Sequence, residues 1–408
     1  MLTLPHYREK CEVASEDRPN GRAGGRSRPC QPDGGCASAG FRAGTSHENG
    51  RPVQSSRWIE VEQRPRAWVN FAKGVAIVLV VLYHVTLYLQ HEGILGLPNR
   101  IKLVLELFPM PVFFLIAGLF GARAMTWSLR NLWMRRLWPV LYLYLVWSVI
   151  RFLFYLVVPG LSGEIGELPA SHPLSLALVL VWPSSSYWFI YALAVFAFAA
   201  WAMRALPGWL HVLIAATIST AFTAGLLNTH NVGWNRVGAL YVFYVFGALY
   251  ARQVFGAVSR VSVPRTFATA AVLVAVSAVL LLLPARWLPF LVLVGQASAV
   301  VLGVLLSAYL VKLRPLRFVS TLGAESLQIY LLHLFIIVPS AALLGLAVGG
   351  VSRPVGVAMQ FALVAAAIAL SLLLSRLTTR VRWLYVPPTR LPRRRRQPDE
   401  PKAVPQVQ

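Results

Sequence analysis

The stretch WVNFAKGVAIVLVVLYHVTLY, residues 68–88, decides the fold. It is a nearly unbroken apolar run of about the ~20 residues that a helix needs to cross the hydrocarbon of a bilayer. Its conspicuous polar members are Asn70, Lys73 and His84. Eleven helical steps of about 100° make almost three full turns, so Lys73 and His84 project from nearly the same face, ~16 Å apart along the axis. Asn70, one turn before Lys73, lies close to that stripe. Two readings stay open on these residues alone. Lys73 snorkels to headgroups while His84 bonds another helix, or the stripe faces the bundle interior and marks function, as ionisable groups inside spans usually do. Histidine has the unperturbed pKa nearest physiological pH and suits removal of a proton from a hydroxyl.

Working outward, further apolar runs centre on 103–122, 137–158, 187–204, 209–227, 237–254, 267–284, 287–311, 325–346 and 355–376. The expectation is an all-α, polytopic transmembrane helical bundle of about ten spans. The run 174–182 is too short to cross, and Pro183 followed by Ser184, Ser185 and Ser186 breaks it from the next span, so an interfacial or re-entrant piece is expected there. A chain of 408 residues with 57% hydrophobic and 13% charged residues and a mean hydropathy of +0.61 is too apolar for a soluble domain.

The net charge of +23 sits mainly in the tails and at the ends of apolar runs, without the aromatic-interleaved basic patch of a nucleic-acid binder. No nucleic-acid partner is expected. The charge reads instead as a topology signal and as attraction to anionic membrane lipid. One alternating set of loops holds Arg123, Arg130, Arg135, Arg136, Arg204, Arg252, Arg260, Arg265, Lys312, Arg314 and Arg317, which the positive-inside rule puts in the cytoplasm together with both termini. The opposite set has fewer basic residues, chiefly Arg100, Lys102, Arg236, Arg286 and Arg353, and its longest loop carries Glu164 and Glu167.

Residues 1–65 are rich in Gly, Pro, Ser and Arg without apolar periodicity and read as a disordered polar cytoplasmic tail, with no removable signal pattern. Residues 387–408, with Arg393, Arg394, Arg395 and Arg396 among prolines, read as a second, basic tail on an anionic membrane surface. Between them lies a membrane domain, 66–386. Cys11, Cys30 and Cys36 all fall in the first tail without zinc-site spacing, and no metal site is expected. No fixed-period repeat or paired broken-helix pattern of the kind common in secondary transporters emerges.

Several elements, in order, resemble the bacterial acyltransferase 3 family of integral-membrane O-acyltransferases, in particular its fucose 4-O-acetylase-like branch. Asn70, Lys73, Gly74 and His84 match the opening pattern of an acidic or amide residue, a cation followed by Gly, and a His ten residues after that Gly. Phe113, Phe114, Ala117 and Gly118 are similar to the aromatic pair leading to a small residue and Gly. Arg135, Arg136 and Pro139 resemble the basic pair before a proline, Trp188 and Phe189 the Trp-Phe element, and Gly323, Ser326, Leu327, Tyr330, Leu331 and His333 the late Gly, Ser-Leu, Tyr-Leu and His arrangement. The resemblance covers about 69–345. Many relatives have Asp where Asn70 stands and Ser where Ala117 stands, so a carboxylate partner for Lys73 and a hydroxyl at the small-residue turn are missing.

The resemblance implies transfer of an acetyl or other short acyl group from acyl-CoA, with acetyl-CoA the foremost donor, to a hydroxyl of a cell-envelope or secreted glycan or a lipid-linked sugar. The site is then the multi-pass inner (plasma) membrane, with no tightly bound cofactor. His84 and Lys73 are the catalytic candidates, His84 as general base or acyl relay. Arg123, Arg135 and Arg136, with Arg130 nearby, are candidates for the CoA phosphates, where guanidinium forks match phosphate oxygens; ordinary positive-inside bias explains them as well. Asn70, Ser326, Tyr330 and His333 are further candidates, the last three able to share one helix face or to serve only helix-to-helix bonding. Glu325 favours a helix N-terminus, Glu106 opens the second span on the outer side, and Trp138, Tyr142, Tyr144 and Trp147 read as an interface belt. The alternative reading of the chain is a transporter or flippase of a lipid-linked or glycosylated intermediate.

Overall fold

The computed structural model describes residues 67–94, 99–158, 161, 168–183, 185–260, 262–283, 289–347 and 351–388. The first tail with its three cysteines, the second tail from residue 389, and Glu164, Glu167, Ser184 and Arg286 lie outside the described residues.

The described residues are helical throughout, without strands. The first helix, α1, spans Ala67–His91. Asn99–Glu106 (α2) and Pro109–Leu119 (α3) follow, separated by a break at which Pro109 takes a first-turn position, where its missing N–H is no loss. A 3₁₀ turn, Ala122–Thr126, and a short helix, Leu129–Leu132 (α4), lead into a π turn, Trp133–Leu137, and then Trp138–Val157 (α5). After Pro173–Ala177 (α6) come Trp188–Ala202 (α7), Gly208–Thr223 (α8), Val232–Leu249 (α9), Ala251–Ser259 (α10) and Val263–Leu282 (α11). Pro289–Leu310 (α12), Arg317–Ala324 (α13), Ser326–Ala347 (α14) and Arg353–Thr378 (α15) complete the set.

Each of the ten apolar runs holds a helix, but seven stretches are long and apolar enough to cross a bilayer unaided, or up to eight if α9 and α10, bent by 78°, form one span. The shortfall lies in α7 and α8. Pro207 interrupts the chain between them, and Gly225, with φ +74°, sits just past the end of α8 in the left-handed conformation that terminates helices. The run 174–182 makes only the five-residue α6 and then irregular chain. That chain is fixed by three side-chain donors: the Tyr144 hydroxyl to the Val179 carbonyl at 2.8 Å, the Tyr191 hydroxyl to Leu180 at 2.8 Å, and the Trp234 indole to Val181 at 2.8 Å.

α1 belongs to two apolar clusters. Trp68, Val69, Ala72 and Ala76 pack with residues of α3, α7 and α9, while Ile77, Val80, Val81, Val85, Tyr88 and Leu89 pack with residues of α5, α14 and α15. Because lipid is as apolar as leucine, such helices associate through close packing rather than through burial from water. Glycine permits it at two crossings. A side chain at Gly74 would collide with the Val319 carbonyl, and one at Gly323 with the Asn70 carbonyl, so α1 and α13 touch backbone to backbone. Gly118 and Gly247 do the same for α3 and α9, against the Tyr244 and Leu115 carbonyls. Leu346, Val157, Leu282 and Phe267 are among many large apolar side chains turned outward, as a lipid-facing surface requires.

Candidate active site

The Nδ1 atom of His84 lies 2.9 Å from the Val80 carbonyl oxygen one turn earlier. A carbonyl can only accept, so Nδ1 carries the proton and Nε2 keeps its lone pair. His333 is arranged alike, its Nδ1 held by the Tyr330 carbonyl at 2.8 Å and the Ile329 carbonyl at 3.1 Å. Its Nε2 then points its lone pair at His84 Nδ1, 3.4 Å away, and the rings meet edge to face with centroids 5.0 Å apart. Two residues 249 positions apart in sequence thus form one imidazole pair. His333 is fully enclosed at 1% exposure, whereas His84 is partly open.

His84 opens onto a cavity of about 240 Å³, whose wall includes Tyr83, Glu106, Trp188, Arg236 and Gln296. These side chains come from the last third of α1, the start of α7 and α9, the end of α2 and the first half of α12. Asn231 caps α9, its Oδ1 accepting from the Trp234 N–H at 2.8 Å, and so starts the helix that carries Arg236 one turn further on. Arg236 donates to Glu106 Oε1 at 3.2 Å and its guanidinium lies 5.3 Å from the centre of the Trp188 ring. Tyr83 engages both members of that ion pair, and the Arg236 charge also acts on His84.

Tyr330 sits beside the histidines, its ring centroid 6.0 Å from His333 and 5.5 Å from Phe189, with its hydroxyl donating to the Ser186 carbonyl at 2.6 Å. Ser326 is buried at the first residue of the same helix. Lys73 does not join the cavity. It lies eleven residues before His84 in α1, ~16 Å away along the axis, and is 7% exposed, so it faces the bundle interior and does not snorkel. Glu325, between α13 and α14, is near enough for its negative charge to be felt at Lys73. Asn70 is half-buried, with its carbonyl against Gly323.

Arg135 and Arg136 ride on the π turn that precedes α5, a local widening that alters which side chains face inward. Arg136 turns in and donates to the Ala117 carbonyl at 3.3 Å, while the exposed Arg135 lies 5.9 Å from the Trp127 ring. Arg123 and Arg130 are exposed on the neighbouring turns. Sequence patterning assigned Arg236 to the topology signal; the structure places it in the cavity wall. Its position at the very edge of an apolar run hid it, and the readable clue was an opposite charge, Glu106, at the edge of another. Gln296 had no such signal within its apolar helix.

A family model described as an acyltransferase domain, acyltransferase 3, matches residues 66–377. No curated protein and no solved structure matches the chain.

Proposed function

Since the chain belongs to the acyltransferase 3 family and is a multi-pass membrane protein, we propose that it transfers an acetyl or other short acyl group from acyl-CoA to a hydroxyl of a cell-envelope or secreted glycan, as the fucose 4-O-acetylase-like branch it resembles would. The observation that carries this reading is the His84 to His333 pair, whose His84 lines a largely apolar cavity that also holds Glu106, Arg236 and Gln296. The acceptor hydroxyl gives its proton to His84 Nε2 as its oxygen attacks the thioester carbonyl. The C–S bond then breaks, and the thiolate of CoA takes the proton back from the imidazolium. His333, neutral and anchored through Nδ1, accepts the Nδ1–H of that imidazolium and fixes its orientation, a positioning role.

In this reading α1 enters from the cytoplasm of the inner membrane and both termini are cytoplasmic. The cavity then lies toward the outer face, and Arg123, Arg130, Arg135 and Arg136 lie inside, where the phosphates of CoA are presented. Lys73, charge-coupled to Glu325 on that inner half, sits along the path between them. The protein in lipid, given acetyl-CoA and glycan acceptors, is expected to release free thiol, and His84→Ala to lower that rate by about 100-fold or more. Unchanged release by a correctly inserted His84→Ala protein would remove His84 from the chemistry.

A further inference from the structure

Gln296 is buried, at 8% exposure, and its side-chain Oε1 has no hydrogen-bond partner. Among the described side chains with such an orphaned buried atom, it is the one in the cavity wall that also holds His84. It projects from α12 one turn after Val292, which lines the same wall. An amide oxygen left unsatisfied away from water is destabilising, and a span gives it no cheap solvent. A bound group that donates to it removes that cost.

The chemistry of the wall narrows what that group is. Arg236 is already matched by Glu106 at 3.2 Å, so the cavity presents no uncompensated charge to a carboxylate or an ammonium. The partner of Gln296 is therefore neutral. A hydroxyl both donates and accepts, and so satisfies either end of an amide. At about 240 Å³ the space falls below the range of roughly 300–1,000 Å³ usual for drug-sized ligands, which suits a single ring rather than an extended chain.

Resting on the acyl-transfer reading of the same site, we propose that Gln296 is the specificity residue for the acceptor. It accepts a hydrogen bond from a second hydroxyl of a polyhydroxylated ring while His84 Nε2 accepts from the hydroxyl that is acylated. The acceptor class is then a neutral sugar unit with at least two free hydroxyls, not a monohydric alcohol and not an acidic sugar held by its carboxylate.

The test is acetyl transfer from acetyl-CoA to a panel of methyl hexopyranosides and their monodeoxy forms, with 1-octanol as the monohydric control. The native protein is expected to prefer at least one glycoside over one of its monodeoxy forms by about tenfold to a hundredfold in kcat/KM. Gln296→Leu should collapse that ratio toward one by losing rate on the full glycoside, and Gln296→Glu, which keeps an accepting oxygen, should retain most of it. A simple packing role for Gln296 would lower all acceptors alike and leave the ratio intact, which overturns the proposal. So would acetylation of octanol with none of the glycosides accepted. Absence of any thiol release by the native protein, with every acceptor present, would instead bring down the acyl-transfer reading beneath it.

Discussion

At the scale of single residues, the arrangement of the candidate site is set by proton position. Backbone carbonyls hold the Nδ1–H of both His84 and His333, so the pair is directional: His333 accepts, His84 donates, and His84 keeps the lone pair on its Nε2. A histidine in the interior of a bilayer has few ways to acquire that orientation, and here each ring uses the turn of helix before it. Replacing His333 by Gln keeps a polar group of similar reach but loses the imidazole acceptor. The expected result is a fall in kcat of about 10–100-fold with the KM for acetyl-CoA moved little, together with a changed pH profile of kcat. A structural role alone would lower the amount of folded protein and leave the pH profile of what remains as it was.

Among elements, the meeting of α1 and α13 sets where the inner residues stand. Gly74 and Gly323 let the two backbones touch, which brings Asn70 against α13 and puts Glu325, just past its end, in reach of the Lys73 charge. A methyl group at position 323 has nowhere to go except into the Asn70 carbonyl, and neither backbone is a flexible side chain that can swing aside. Gly323→Ala should therefore destabilise the protein by about 1–3 kcal/mol, read as a lower midpoint of thermal unfolding in detergent. Gly256, whose added Cβ meets nothing, is the matched control: Gly256→Ala should leave the midpoint unchanged or slightly raised. Equal midpoints for both variants would mean that the α1 to α13 contact is looser than described. The π turn at Trp133–Leu137 has a comparable effect at the start of α5, separating the inward Arg136 from the outward Arg135.

For the molecule as a whole, the proposed orientation puts the imidazole pair toward the outer face and the exposed arginines toward the cytoplasm. Single cysteines introduced into a background without Cys11, Cys30 and Cys36 test this directly. With the charge bias setting orientation, Arg130→Cys should react with an impermeant thiol reagent only from the cytoplasmic side, and Leu227→Cys, in the exposed turn after α8, only from the outside. Labelling of both from one side would sink the proposed topology. The helical class, the ten apolar runs, the family and the candidacy of His84 were legible in the linear chain, because hydrocarbon imposes a polarity that each segment must meet by itself; the lengths of α7 and α8 were not legible, since Pro207 and Gly225 stop those helices short. Pairing was not legible. His84 with His333, Glu106 with Arg236, and the place of Gln296 in the wall of the same cavity all depend on how helices distant in sequence rotate against one another. That rotation is decided by which glycines, small residues and ring edges fit at each crossing, so it exists only once the tertiary structure has formed.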